Sequence, residues 1–363
     1  MKILNHFNPI ARFLYRHLWV LIFVFPLLFL IRFYLQDLQI KEIWNPLDDW
    51  FRYDENAENI VQFGWMKNQG NEPYYGPGGF LYNYFLALIK FVFGRSLYWI
   101  YFVQSLILGC SFFLFVRSFK QHLNRVLTPI IFLAFLFLFL DVFWHYNFQL
   151  LSENLFVLFY AALLYSLTIR EKPYSVYLFS IGVGLMILTR PALSVVYPIF
   201  AWMIWEHGKT TRSKYLSLFL SLLLIQVLAI RNFWISGFYV WLPTEGLSDS
   251  LGMLSSLDFQ LLTKKASFQL GFCSVLNDAY QIRWHWILLV IGYFVLIFRQ
   301  IFSFGKLSFP LLHLLLWSIF LSNLLFVKVD SYGFRSVLPF ILLMLWLVVE
   351  SLTREVFWKG KWK

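Results

Sequence analysis

Long apolar runs separated by short polar breaks set the rhythm of this chain. Runs that approach or reach the roughly 20 residues needed to cross about 30 Å of hydrocarbon fall at 14–36, 97–116, 126–147, 150–168, 174–190, 192–206, 215–235, 284–298, 308–327 and 336–352. The pattern predicts an all-α, polytopic integral membrane helix bundle of about ten spans, with residues 1–363 forming a single transmembrane domain. Lys2, Arg12 and Arg16 precede the first run and no small-residue cleavage site follows it, so it reads as a retained first span.

The run from Gly79 to Phe93 differs from the rest. It is short for a span, it carries Asn83 and Lys90, and it follows the turn-forming Gly76-Pro77-Gly78-Gly79. Short runs of this kind are re-entrant or interfacial. Charge parity supports that reading. If the run does not cross, the clusters Arg117/Lys120/Arg125, Arg170/Lys172, Lys209/Arg212/Lys214, Arg299/Lys306 and Arg354/Lys359/Lys361/Lys363 all share the side of the N-terminus. That is the cytoplasmic side by the positive-inside rule, and both termini lie there. Residues 37–78 and 236–283 then become two long external loops, the first of them the expected catalytic loop.

Composition agrees with this class. Of the 363 residues, 60% are hydrophobic and 13% charged, and the mean hydropathy is +0.66. A soluble domain has about half apolar and a quarter charged residues, and a chain this apolar does not stay disordered. The net charge of +11 follows the positive-inside clusters, so no nucleic-acid partner is expected. Cys110 and Cys273 lie far apart without metal-ligand spacing, so neither a disulfide nor a cysteine metal site is expected. Phosphate loops, HExxH and GxSxG elbows are missing from the sequence.

Candidate chemistry gathers on the predicted outer side. The first loop carries Asp48, Asp49, Arg52, Tyr53, Asp54, Glu55 and Glu58, with Ala57 and Ile60 at helical spacing. A merely solvated acidic face is the alternative. Glu153 opens a span, Arg190 stands between two spans, Arg231 lies near the outer end of another, and Arg335 opens the last. Charge at span ends faces a cavity or a partner. Snorkelling accounts for any single arginine. Three on the outer side run against the positive-inside bias, and an anionic ligand is their simplest shared cause, because the guanidinium fork matches phosphate oxygens.

His145 and His285 fall at outer ends, where they either join Asp49 or Glu153 around a divalent metal ion or serve as hydrogen-bonded interfacial histidines. His313, in mid-span, reads as a satisfied bundle histidine. Trp44, Trp50, Tyr74 and Tyr75 either stack on a sugar or belong to the interfacial aromatic belt.

The order Asp49-x3-Tyr53-x3-Ala57-x2-Ile60, Tyr75-Gly76-Pro77, Phe93-Gly94-Arg95-Ser96, Leu151-Ser152-Glu153-Asn154, Gly182-x-Gly184 with Leu188-Thr189-Arg190-Pro191, Ile230-Arg231-Asn232, and Arg335 with Pro339 resembles the GT-C superfamily of polyprenyl-phosphate-sugar-dependent glycosyltransferases. Within it, the chain is most similar to the branch containing protein O-mannosyltransferases and the lipid A aminoarabinose transferase. The likeness runs from about residue 45 to 340. It implies that Asp49 is the catalytic base and that Arg52 lies near the donor phosphate. Glu153 corresponds to the acid that orients the acceptor or holds a metal, with Asp49, Glu153 and His145 the metal candidates.

By the same resemblance Asp48, Tyr53, Tyr75, Arg190, Arg231 and Arg335 line the substrates. The implied partners are a polyprenyl-phosphate-sugar donor, a glycan, lipid or protein acceptor, and the lipid bilayer. The implied location is a bacterial inner (plasma) membrane, with the site facing outward and acting on cell-envelope glycan. Asp48, Asp54, Glu55 and Glu58 compete with Asp49 on composition, and spacing alone favours Asp49. Two departures stand out. Gly76-Pro77-Gly78 replaces a Lys-Pro-Pro sequence of the aminoarabinose branch, which shifts phosphate binding to the arginines or Lys67, and the chain ends soon after its last apolar run. Inverting glycosyl transfer is the expected reaction. A transporter or flippase of a lipid-linked glycan and a non-catalytic membrane scaffold are the alternatives.

Overall fold

The computed structural model describes residues 17–35, 49–64, 80–119, 152–236, 284–304, 309–326 and 334–360, with positions 136, 139, 140, 263, 266, 267, 269 and 270 besides. All regular structure among the described residues is helical. A 3-10 stretch, Leu18–Phe23, leads into α1 (Val24–Leu35). Next come α2 (Asp49–Phe63), α3 (Phe80–Phe93), α4 (Leu97–Ser118), α5 (Glu153–Thr168) and α6 (Ser175–Thr189). A second 3-10 stretch, Pro191–Val196, precedes α7 (Tyr197–His207) and α8 (Thr211–Ser236). The last three helices are α9 (Trp284–Phe304), α10 (Pro310–Phe326) and α11 (Phe334–Gly360).

The chain divides into two compact units, Met1–Pro191 with Ile204–Pro243, and Ala192–Met203 with Thr244–Lys363. Hydropathy reads one continuous domain because each unit is built from the same kind of apolar run. Two helical segments among the described residues, Leu97–Ser118 and Thr211–Arg231, are long and apolar enough to cross a membrane. The other apolar segments among the described residues run to 10–17 residues. α6 stops at Thr189 because Pro191 disfavours helical backbone at Arg190, which is extended at φ −136° and ψ 86°. The 14 residues of α3 rise about 21 Å, short of the roughly 30 Å of a bilayer core.

In the first unit, contacts fix the direction of each helix. Phe33 meets Tyr98 and Phe25 meets Phe112, at centroid distances of 4.9 and 5.8 Å, so α1 and α4 run antiparallel. Phe139 joins this cluster against Phe112 and Phe115, at 5.3 Å from each. α5 packs on α4, and Arg117 lies over the Tyr165 ring at 5.4 Å, so their C-terminal ends adjoin. α6 lies antiparallel to α5, with Gly182 against Leu163 and Arg190 on Glu153.

α8 runs parallel to α6. Gly184 permits this close approach, since a Cβ there would stand 2.7 Å from Leu224 Cβ, and Leu188 meets Leu228 further along. Small residues at such crossings let two helices pack closely. One end of the unit therefore gathers the basic residues from Arg117, Arg170 to Lys172, and Lys209 to Lys214, and the opposite end gathers Glu153, Arg190 and Arg231.

The second unit packs α9 and α10 on α11 around Leu338, Phe340–Met344 and Trp346. Three buried polar pairs link its elements, as an apolar surround favours. Tyr293 and His313 share a 2.8 Å hydrogen bond through Nδ1 of the imidazole that the sequence places in mid-span. Gln300 donates to Ser351 at 2.9 Å, and Asn323 donates to Gln269 at 3.4 Å.

Candidate functional site

α2 starts where an acidic first residue suits the positive end of a helix, and it stops at Gly64. There φ is +77° and the amide donates to the Ile60 carbonyl at 2.8 Å. Tyr53, Ala57 and Ile60 form its inward side, as the spacing predicts, and Ala57 is fully buried. α3 ends in the same way at Gly94, with φ +85°, and Ser96 then caps α4 by accepting from the Tyr98 amide. The Phe93-Gly94-Arg95-Ser96 motif is thus a helix stop followed at once by a helix start.

α2 and α3 lie side by side in the same direction. Tyr53 packs edge-on against Tyr82 at 5.3 Å, and further along Lys90 Nζ stands 2.5 Å from Asp54 Oδ1 and 2.7 Å from Glu58 Oε1. The Lys90 side chain is 2% exposed. Arg95 reaches the other Glu58 oxygen at 3.2 Å. Two acids one helical turn apart present both carboxylates to one lysine. Burial pushes the Asp54 carboxyl above its ordinary range against the pull of Lys90, and the Glu58 charge adds to the rise. Tyr82 also donates to Gln104 of α4 at 2.6 Å, which anchors the pair on the bundle.

Glu153, in the first turn of α5, has no exposed surface and pairs with the Arg190 guanidinium. Arg190 also lies over the Phe156 ring at 5.0 Å. Next to Arg190, Leu188 of α6 and Leu228 of α8 form a small core against which Ile60 of α2 and Leu81 and Tyr84 of α3 pack. The ends of α6 and α8, with Arg190 and Arg231, therefore adjoin the α2–α3 pair.

Of the residues expected at the site, the structure brings Glu153 and Arg190 into direct contact and places Tyr53 at the α2–α3 seam. Arg52 is exposed on α2, and Arg231 is half-buried near the end of α8. Asp49 is the first residue of α2, and Arg335 lies in the first turn of α11 in the second unit. The side chains of both fall outside the description, as do residues Asp48, Tyr75 and His145. Lys90 escaped the sequence reading because its charge served only to mark α3 as too polar to cross. The signal that would have found it is the pair Asp54 and Glu58, spaced to share a cation.

The donor set does not suit a divalent ion at Glu153. Its carboxylate already neutralises a guanidinium, and a dication there would face the Arg190 charge. Among the described residues no group of three or more His, Cys, Asp or Glu gathers as a metal centre would need. Comparison of the chain with protein-family models, with curated proteins and with solved structures found no match.

Proposed function

We propose that this protein is a polytopic membrane glycosyltransferase of the GT-C type. It moves a sugar from a polyprenyl monophosphate to a hydroxyl acceptor at the outer face of the membrane. The observation that carries this reading is the gathering of acids and arginines at one end of the first unit, against the sign expected of an outer surface, while the basic clusters lie at the other end. Exposed apolar stripes on α8 (Tyr215, Leu216, Phe219, Leu222, Leu223) and α9 (Leu288, Ile291, Val295, Phe298, Phe302) support the membrane part, because such faces require an apolar neighbour.

In this reading Asp49, at the head of α2, takes the proton of the acceptor hydroxyl as its oxygen attacks the anomeric carbon. The bond from that carbon to the phosphate oxygen breaks, and polyprenyl phosphate leaves. One displacement inverts the anomeric configuration. General-base assistance of this kind contributes about 10² to 10⁴ in rate. Arg190 commits its charge to Glu153, so the departing phosphate falls to Arg52 and Arg231. The Lys90 clamp on Asp54 and Glu58 keeps α2 in place and removes two of the competitors of Asp49, and spacing favours Asp49 over Glu55, the remaining acid of this helix.

The test is release of free polyprenyl phosphate from a panel of polyprenyl-phosphate sugars by the purified protein in lipid, supplied with membrane extract. Release by wild type that falls by about 10² or more in Asp49→Asn is the expected result. No release from any donor by folded protein overturns the enzyme reading. The flippase alternative would then gain from the buried polar pairs inside the second unit, Tyr293 with His313 and Gln300 with Ser351.

A further inference from the structure

At the basic end of the first unit, away from the candidate site, the connections 169–174 and 208–210 meet. Arg170 donates to the Glu206 carbonyl, and Lys209 Nζ reaches the Glu171 carbonyl at 3.0 Å and its carboxylate at 3.2 Å. Thr210 and Ser213 exchange amide-to-hydroxyl hydrogen bonds of 3.0 and 3.1 Å, which fix the first turn of α8. Arg170, Lys172, Lys209, Arg212 and Lys214 outnumber the acids Glu171 and Glu206 in this patch. Lys172 and Arg212 are exposed.

The face of α8 below this patch is ordered along its length. Arg212 is followed at helical spacing by Tyr215 and Leu216, then Phe219, then Leu222 and Leu223, all of them exposed from Tyr215 onward. Beside them Lys214 lies over the Trp205 ring at 4.8 Å, and Tyr215 packs edge-on against Trp205 at 5.4 Å. The sequence of features is cation, aromatic, aliphatic. A phospholipid has the same order of phosphate, glycerol ester and acyl chain, and aromatic side chains favour the ester level.

The positive-inside bias accounts for the sign of the charge and the bilayer for the apolar stripe, and the lipid is read from their alignment on one face of α8, cation above aromatic above aliphatic. A soluble anion would use only the cations. We propose that this end of the first unit binds an anionic phospholipid, with its phosphate on Arg212 and Lys172 and its acyl chains along the Tyr215–Leu223 face of α8. The inference rests on the membrane reading above and is independent of the transferase reaction.

The full chain is reconstituted first in phosphatidylcholine bilayers and then in the same bilayers containing phosphatidylglycerol. Extraction by alkaline carbonate from pure phosphatidylcholine would overturn the membrane reading and this inference together. If the chain stays in the bilayer, phosphatidylglycerol is expected to raise its thermal midpoint and to be retained over phosphatidylcholine in native mass spectrometry. The double variant Lys172→Gln/Arg212→Gln, with an unchanged midpoint in phosphatidylcholine, is expected to lose about an order of magnitude of that preference. Equal retention of the two lipids, or an undiminished preference in the variant, overturns the inference alone. A shift reproduced by inorganic phosphate overturns it in favour of a free-anion site.

Discussion

A carboxylate with no exposed surface, as at Glu153, requires a partner, and Arg190 supplies it from the residue that terminates α6. Breaking such a pair by removing one member leaves an uncompensated buried charge and costs about 3–5 kcal/mol. Glu153→Gln is therefore expected to lower stability by that order. Glu153→Gln/Arg190→Gln should recover part of the loss, and chemical denaturation of the four members of the cycle measures it. Additive single effects would show that the two residues do not depend on each other.

His207 makes the opposite demand. It is buried beside Ser175, sharing a 2.9 Å hydrogen bond, and stacks with Phe179. Burial, with the Arg170 and Lys209 charges adding to it, pushes its imidazole from 6.5 down to about 4. The folded protein keeps it neutral where the unfolded chain already binds a proton. Its contribution is thus complete above pH 6.5 and is lost as pH falls toward 4. The thermal midpoint of wild type should fall across that window, and His207→Gln should flatten the fall. A variant as acid-sensitive as wild type would assign the loss elsewhere.

At the scale of the element, the crossing of α4 with the Leu18–Phe23 stretch depends on a missing side chain. A Cβ at Gly109 would collide with the Ile22 carbonyl oxygen and stand 2.8 Å from its carbonyl carbon, and backbone cannot swing aside as a flexible side chain can. Gly109→Ala is expected to cost about 1–3 kcal/mol as overpacking, and the cost is read from denaturant midpoints. Gly184→Ala should be milder, because the approach there is 2.7 Å, to Leu224 Cβ, and so less close than that to the Ile22 carbonyl oxygen at Gly109. The same scale explains α2. Its sequence is polar enough to stand as a solvated loop, and its helix is held by the Tyr53–Tyr82 contact and the Lys90 clamp.

For the whole molecule, the direction of each helix in the first unit puts Ser96 at the end that carries Glu153, and Thr211 at the basic end. In a background lacking Cys110 and Cys273, Ser96→Cys should react with an impermeant thiol reagent from outside the cell, and Thr211→Cys only after permeabilisation. Labelling of Thr211→Cys from outside would reverse the proposed orientation.

Hydropathy is a local property, so the positions of α1, α4 to α6 and α8 to α11, and the short α3, were legible from the chain alone. So was helical spacing in α2, and so was the common end of Glu153, Arg190 and Arg231 in the first unit, because helices of alternating direction sort charges by parity. Partnership between distant residues was not legible. Lys90 and Glu58 are 32 positions apart and Arg190 and Glu153 are 37, and no local pattern records which cation meets which acid. The packing of α6 on α5, and of α3 on α2, decided those pairs. Only that packing turned Arg190 from a phosphate candidate into the partner of Glu153, and Lys90 from a mark of polarity into the clamp on α2.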